Sequence, residues 1–158
     1  MKNIKLVQIV QNHYADISLL IGSDTQLQKD LGFKKESIPT KSQVEKDFIS
    51  WCESHEAKMF SIFKDDIFIG LITISRIDVE NKSARLGYWL GSQFRQKGYS
   101  SIAYRKMLDK VSSMGINKLN GSVLVSNLSS RRLWENHGAK VIGEEKNNVV
   151  YELILDYK

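Results

Sequence analysis

The order of β-rich and helical segments along this chain predicts an α+β domain built on a mixed, mostly antiparallel twisted sheet of about seven strands with flanking helices. In the middle, KMFSIF, IFIGLITIS and SARLGYWL follow one another closely and read as adjacent antiparallel strands. A helix-period stretch then separates SARLGYWL from KLNGSVLV, and a helical crossover between neighbouring strands makes that pair parallel. AKVIGE and NVVYELIL complete the sheet as a final strand pair.

The elements follow in order. Lys2 to Val10 alternates Ile4 and Leu6 with Lys5 and Gln8, the period of a strand, and a helical patch covers Tyr14 to Ile21. Asp24 to Pro39 is polar, holds Gly32 and the single proline, and reads as loop with a short helical piece. Ser42 and Glu45 form a capping-box pattern ahead of Val44, Phe48, Trp51, Cys52 and His55, which predicts a helix over 42 to 55. The strands Met59 to Ser75 form a hairpin around KDD, and Ser83 to Leu90 is the third. From Gly98 the period changes: Ala103, Tyr104, Met107, Leu108, Val111 and Met114 share one helical face, with Gly115 as the stop. Lys118 to Val125 is a strand, and Leu128 to His137 a short helix closed by Gly138. No repeat, low-complexity tract or linker divides the chain, so residues 1–158 read as one domain.

Bulk properties narrow the classes. With 158 residues, 42% hydrophobic and one proline, the chain has the material for its own core without metals or disulfides. Cys52 stands alone and His13, His55 and His137 have no ligand spacing, so no metal site is expected. The N-terminal segment lacks the apolar run of a secretion signal or membrane span, so a cytoplasmic protein with no membrane partner is expected. The net charge of +5 is scattered, suits many anionic ligands, and singles out no nucleic acid.

The chemistry-bearing stretch is FRQKGYSS, Phe94 to Ser101. A strand ending at Leu90 and a helix beginning at Gly98 place the amides of Gln96 to Ser101 at a helix N-terminus. There the first N–H groups lack intrahelical partners and the helix dipole is positive, so a diphosphate fits. Arg95 and Lys97 add charge, Gly98 removes a Cβ from the approach, and Ser100 offers a hydroxyl. On these residues alone the stretch reads equally as an anion site or as a solvated strand-to-helix turn.

Two motifs carry a resemblance. Arg95, Gln96, Lys97, Gly98, Tyr99, Ser100 is similar to the pattern of Arg or Gln, two residues, Gly, one residue, Gly or Ala. Asn127, Ser130, Leu133 and Gly138 in NLSSRRLWENHGA match a second pattern, N-x-x-S-x-x-L, ending at a Gly. Together with LGYWLGSQFRQKGYSS they resemble the GNAT superfamily of acetyl-coenzyme A-dependent N-acetyltransferases, in the branch of ribosomal-protein N-terminal acetyltransferases. The resemblance runs from about Met59 to Leu155 and is vague before that, where this family builds its acceptor pocket.

The resemblance implies a GNAT-like sheet whose parallel pair splays to admit the cofactor arm, with acetyl-CoA as cosubstrate. It implies that Gln96, Lys97, Gly98, Tyr99, Ser100 and Ser101 hold the pyrophosphate beside the Arg95 side chain. Trp89 and Leu90 line the pantetheine, the Leu90 amide polarises the thioester carbonyl, and Asn127, Ser130 and Trp134 lie against the cofactor. Ser130 joins Leu90 as a candidate catalytic residue. Structurally, Asn127 reads also as a helix N-cap and Ser130 as a solvated helix residue.

Two departures follow. Trp134 stands where many relatives carry a Tyr that protonates the thiolate, and an indole cannot be the acid. Arg85 stands where many carry Glu, and a guanidinium cannot be the base. Asp78, Glu80, Ser130 and Tyr99 remain candidates for proton traffic, and Arg85 either attracts an acidic acceptor or is a surface cross-strand charge. The expected activity is acetyl transfer to a primary amine of a peptide N-terminus or small metabolite. A non-catalytic acyl-CoA sensor is the second reading and an RNA-associated binder the last; a homodimer through an exposed strand stays open.

Overall fold

The computed structural model describes residues 3–33 and 39–155. Strands β1 (Ile4–Gln8), β2 (Lys58–Lys64), β3 (Ile67–Asp78), β4 (Ser83–Leu90), β5 (Lys118–Leu124), β6 (Lys140–Glu145) and β7 (Asn148–Ile154) form one sheet in the order β1-β2-β3-β4-β5-β7-β6. Every pairing is antiparallel except β4 with β5. That is the mixed sheet the segment order predicts, and the parallel pair falls where the helical crossover requires it.

Five helices cover it: α1 (His13–Ser23), α2 (Thr25–Asp30), α3 (Lys41–Ser54), α4 (Tyr99–Ser113) and α5 (Leu128–Asn136). Side-chain alternation along the strands feeds two cores. Ile72 and Ile74 of β3 join Ala103, Tyr104, Met107 and Val111 of α4 and Leu133 and Trp134 of α5. Leu71 joins Ile17 and Ile21 of α1, Leu27 of α2 and Val44 of α3. The sheet is therefore sandwiched, with α4 and α5 on one face and α1 to α3 on the other.

Local signals were read with small displacements. The capping box of α3 is Thr40 with Gln43, whose side chain accepts from the Thr40 amide at 3.0 Å, and not Ser42 with Glu45. Thr40 is itself extended (φ −74°, ψ 167°), so it is the last non-helical residue and the box starts there. The piece expected within Asp24 to Pro39 is α2, and residues 34–38 of that stretch, like Lys2 of the first strand, lie outside the described residues. His55 is the C-cap of α3, half-buried and stacked on Trp51 at 4.8 Å.

Close packing is visible at strand glycines. A Cβ on Gly70 would lie 2.2 Å from the Trp89 carbonyl oxygen of the neighbouring strand, and backbone cannot swing away. Gly70→Ala is expected to lower unfolding free energy by about 1–3 kcal/mol, read from urea denaturation; an unchanged midpoint would show that β3 and β4 are less tightly apposed.

Candidate active site

The parallel pair is short. Only Ser83, Ala84 and Arg85 of β4 pair with Lys118, Leu119 and Asn120 of β5, although β4 runs on to Leu90 and β5 to Leu124. Past Arg85 the strands part. On its other side β4 remains paired with β3, where the Gly91 amide donates to the Ile69 carbonyl at 2.8 Å. Strand amides alternate sides, so the N–H groups of Leu90 and Tyr88 face the gap that β5 has left. The Leu90 carbonyl faces the same way and accepts from Arg95 Nε at 3.1 Å.

At the end of the gap sits the turn into α4. Gln96 (φ 61°) and Gly98 (φ 82°) both lie in the left-handed region, a backbone shape that turns successive amides into one concavity. Gly98 is the N-cap of α4 and no side chain caps that terminus. A cleft of about 230 Å³ follows the turn, bordered by Leu90, Gln96, Gly98, Ser100 and Ser101 on one side and by α5 on the other. An anion fits there on the chemistry of the donors, because a helix N-terminus and a nest of amides both present positive charge.

The far wall is one face of α5. Ser129, Arg132, Leu133 and Asn136 line the cleft, at the i, i+3, i+4, i+7 spacing of a single helical stripe. Of these the sequence reading had used only Leu133, as a motif landmark. Their spacing was the available signal, since Arg132 brings a second cation opposite the turn.

Tyr88 closes the inner end of the cleft. Its hydroxyl donates to Ser130 Oγ at 3.0 Å across the gap. Burial pushes the Tyr88 phenol up, with the Ser130 hydrogen bond and the Arg95 charge opposing, so it stays protonated. Ser130 is buried, unlike a solvated helix residue, and its amide donates to Asn127 Oδ1 at 3.2 Å. Asn127 is thus the N-cap of α5 and is exposed beside the cleft's lining.

Of the other expected site residues, some lie away from the cleft and some line it. Trp134 is 1% exposed and packs against Tyr104 and Tyr151 beneath the sheet, among core residues and away from the cleft's lining. Its position in α5 turns it inward while Ser130 and Leu133 flank the cleft. The Arg95 guanidinium turns to Asp30 of α2 at 2.6 Å. Trp89 points to the opposite face, edge-on to Phe68. Lys97 is exposed at the turn, and Tyr99 and Ser100 are half-buried. Arg85 donates to Ser122 Oγ at 2.8 Å across the fork, and Asp78 accepts from Asn81 in a tight turn. No cluster of three or more His, Cys, Asp or Glu could hold a metal among the described residues.

The fold and the site together define a domain whose sheet opens between two strands beside a helix N-terminus that no side chain caps. Residues 3–140 match the acetyltransferase (GNAT) domain family, and the chain belongs to it. The chain is 30% identical over 118 residues to the ribosomal-protein-serine acetyltransferase of Escherichia coli (strain K12), covering 72% of this chain and 65% of that protein. The matched stretch therefore falls short of two thirds of that relative's length. Among solved structures, RimL, a ribosomal alpha-N-protein acetyltransferase in complex with coenzyme A, superposes with a TM-score of 0.81 at 20% identity, covering 97% of this chain and 94% of that one. The microcin C7 self-immunity acetyltransferase MccE, in complex with acetyl-CoA and AMP, superposes at 0.76, again at 20% identity, with 96% and 92% covered. At these identities the superpositions show the shared fold.

One residue braces this site from the α1–α2 side. Asp24 is buried and accepts from the Ser92 amide at 2.6 Å, the Ser92 hydroxyl at 2.8 Å and the Leu27 amide at 3.0 Å. Burial pushes its carboxyl up, but these hydrogen bonds and the Arg95 charge outweigh it and hold the pKa below the ordinary carboxylate value. A depressed folded pKa gives stability that is present above the unfolded value and lost as pH falls through the folded one. Asp24→Asn is expected to remove about 1–3 kcal/mol at neutral pH, with the gap to wild type narrowing below about pH 4. Urea melts across pH check this; a gap independent of pH would contradict it.

Proposed function

We propose that the protein is an acetyl-CoA-dependent N-acetyltransferase acting on a primary amine, of a peptide N-terminus or a small metabolite. The observation that carries this reading is the fork: β4 and β5 part after Arg85, and an uncapped helix N-terminus waits where the gap ends. The amides of Gln96 to Ser101 are the groups that would hold the pyrophosphate, with Arg132 facing them; Lys97 adds exposed charge. The acetyl thioester is what the cosubstrate supplies when bound.

The chain's own groups then divide the work. The Leu90 N–H, facing the gap, would donate to the thioester oxygen as negative charge develops there. Ser130 lies across the gap, and the hydrogen bond it accepts from Tyr88 leaves its own O–H able to donate a hydrogen bond to the departing thiolate, which would take its proton from solvent. As a C–N bond formed and the C–S bond broke, the amine would release its proton to solvent. A thiol pKa near 8.5 makes thiolate a tolerable leaving group without a strong acid, and positioning supplies the rest.

Asn127 acts here by fixing the first turn of α5, and Trp134 by filling the core under the fork. Arg85, permanently charged, takes no part as a base. The relatives support a transferase over a non-catalytic sensor. A single half-buried thiol, Cys52, suits a reducing cytoplasmic setting.

Calorimetry with coenzyme A and thiol release from acetyl-CoA over an amine panel test this reading. Binding together with amine-dependent thiol release is expected; absence of binding at millimolar coenzyme A would sink it. Ser130→Ala and Tyr88→Phe are each expected to lower kcat by about 10- to 100-fold with the coenzyme A affinity kept within a few-fold. Unchanged kcat in both would remove the Tyr88–Ser130 pair from the chemistry.

A further inference from the structure

On the sheet face opposite α4 and α5, a groove of about 350 Å³ lies against β4 and is bordered by α3 and the chain after α2. Tyr88 borders both this groove and the cleft, so the two meet at the strand that carries the Leu90 amide. An amine reaching the gap from this side would leave its substituent in the groove. The substituent's chemistry is therefore legible in the groove's lining.

That lining is apolar and aromatic. Met59 and Leu71 form the buried floor, and Phe33, Phe48, Trp51 and Trp89 stand around it half-buried. No carboxylate lines it among the described residues. The nearest polar group on the floor, Thr73, already donates to the Gly87 carbonyl at 3.4 Å. Arg85, two residues before Gly87 and on the same face of β4, adds positive charge. Among the described residues a polycation finds no counter-charge in this lining, whereas an apolar group gains by burial.

Gly87 gives an independent sign. Of the glycines within the core strands, Gly70 and Gly121 are enforced by packing, since a Cβ would meet backbone oxygen at 2.2 Å and 2.9 Å. At Gly87 the nearest atom to an added Cβ is Thr73 Oγ1 at 3.6 Å, an ordinary contact, and φ is not in the left-handed region. Glycine weakens a strand interior, and one that packing does not enforce leaves room for a ligand's close approach. The missing side chain leaves the groove floor open beside the gap.

We propose that this groove selects acceptors whose amine-bearing carbon carries a bulky apolar or aromatic group. Such a group occurs on a free arylalkyl or amino-acid amine and on a peptide N-terminus beginning with Leu, Met or Phe. The proposal rests on the transferase reading above. It adds the acceptor class, which that reading leaves open.

The test compares kcat/KM for phenylalaninamide, methioninamide and peptides beginning with Leu or Phe against serinamide, peptides beginning with Ser, and spermidine. At least a tenfold preference for the apolar set is expected, and free amides against peptides separates the two sources. Equal or better turnover of serinamide or spermidine would overturn the proposal while leaving the transferase reading intact; absence of coenzyme A binding would overturn both. Gly87→Phe is expected to fill the groove, raising KM for phenylalaninamide at least tenfold with coenzyme A affinity unchanged by calorimetry. Gly87→Leu serves the same purpose if the larger residue impairs folding, checked by thermal melt. An unchanged KM in a folded variant would count against the groove.

Discussion

The structure depends on the early end of one strand pairing. Three residue pairs join β4 to β5, and everything assigned to the site follows from their separation afterwards. A buried strand whose amides lose their neighbour must find other partners or a ligand. Along β4 the groups at Tyr88 and Leu90 are the ones that face the gap, and the Leu90 carbonyl accepts from Arg95. The fork is held open from beneath. Trp134 lies against Gly121 just past the last paired residue, so close that a Cβ on Gly121 would come within 2.5 Å of the indole. Tyr104 and Tyr151 fix that indole edge-on and face-on. Burial also pushes the Tyr104 phenol well up, and its hydroxyl has no hydrogen-bond partner among the described residues.

The two halves of the site belong to opposite faces of the sheet and are tied together by carboxylates. Asp24 joins the α1–α2 corner to Ser92, and Asp30 joins α2 to Arg95. Both contacts fall on the segment between β4 and α4, so the α1–α2 corner and α2, which lead into the chain bordering the groove, also position the turn. This explains why Arg95, a motif residue, points away from the anion site. Its charge locks the segment, and Lys97 and Arg132 are exposed on the two sides of the cleft.

Much of this was legible in the sequence because it is written in local periodicity. The change from period 2 to helical period at Gly98, and the stop at Gly115, set α4 to within a residue or two. The parallel pair followed from the length of the crossover alone. What stayed hidden depends on which way a side chain points once helices dock. Ser130 and Trp134 lie one turn apart on α5 and both are buried, yet Ser130 bonds the Tyr88 hydroxyl while Trp134 packs against Tyr104 and Tyr151. Tyr88 bonds a residue 42 positions away, a separation that no short motif encodes. The groove gathers residues from five separate stretches, and only Gly87, Tyr88 and Trp89 among them lay in a motif. Asp24 read as the start of a polar loop because its partner, Ser92, is 68 residues distant.

The central claim is that the main chain at the end of β4 and the start of α4 offers its amides to a ligand lying between parted strands. An amide-resolved NMR titration with coenzyme A tests it most directly. The account predicts that Leu90 and Gly98 through Ser101 shift together and saturably, while the strand amides of β1 and β2 stay in place. Saturation by coenzyme A with those amides unmoved, and shifts gathered on another face, would contradict it.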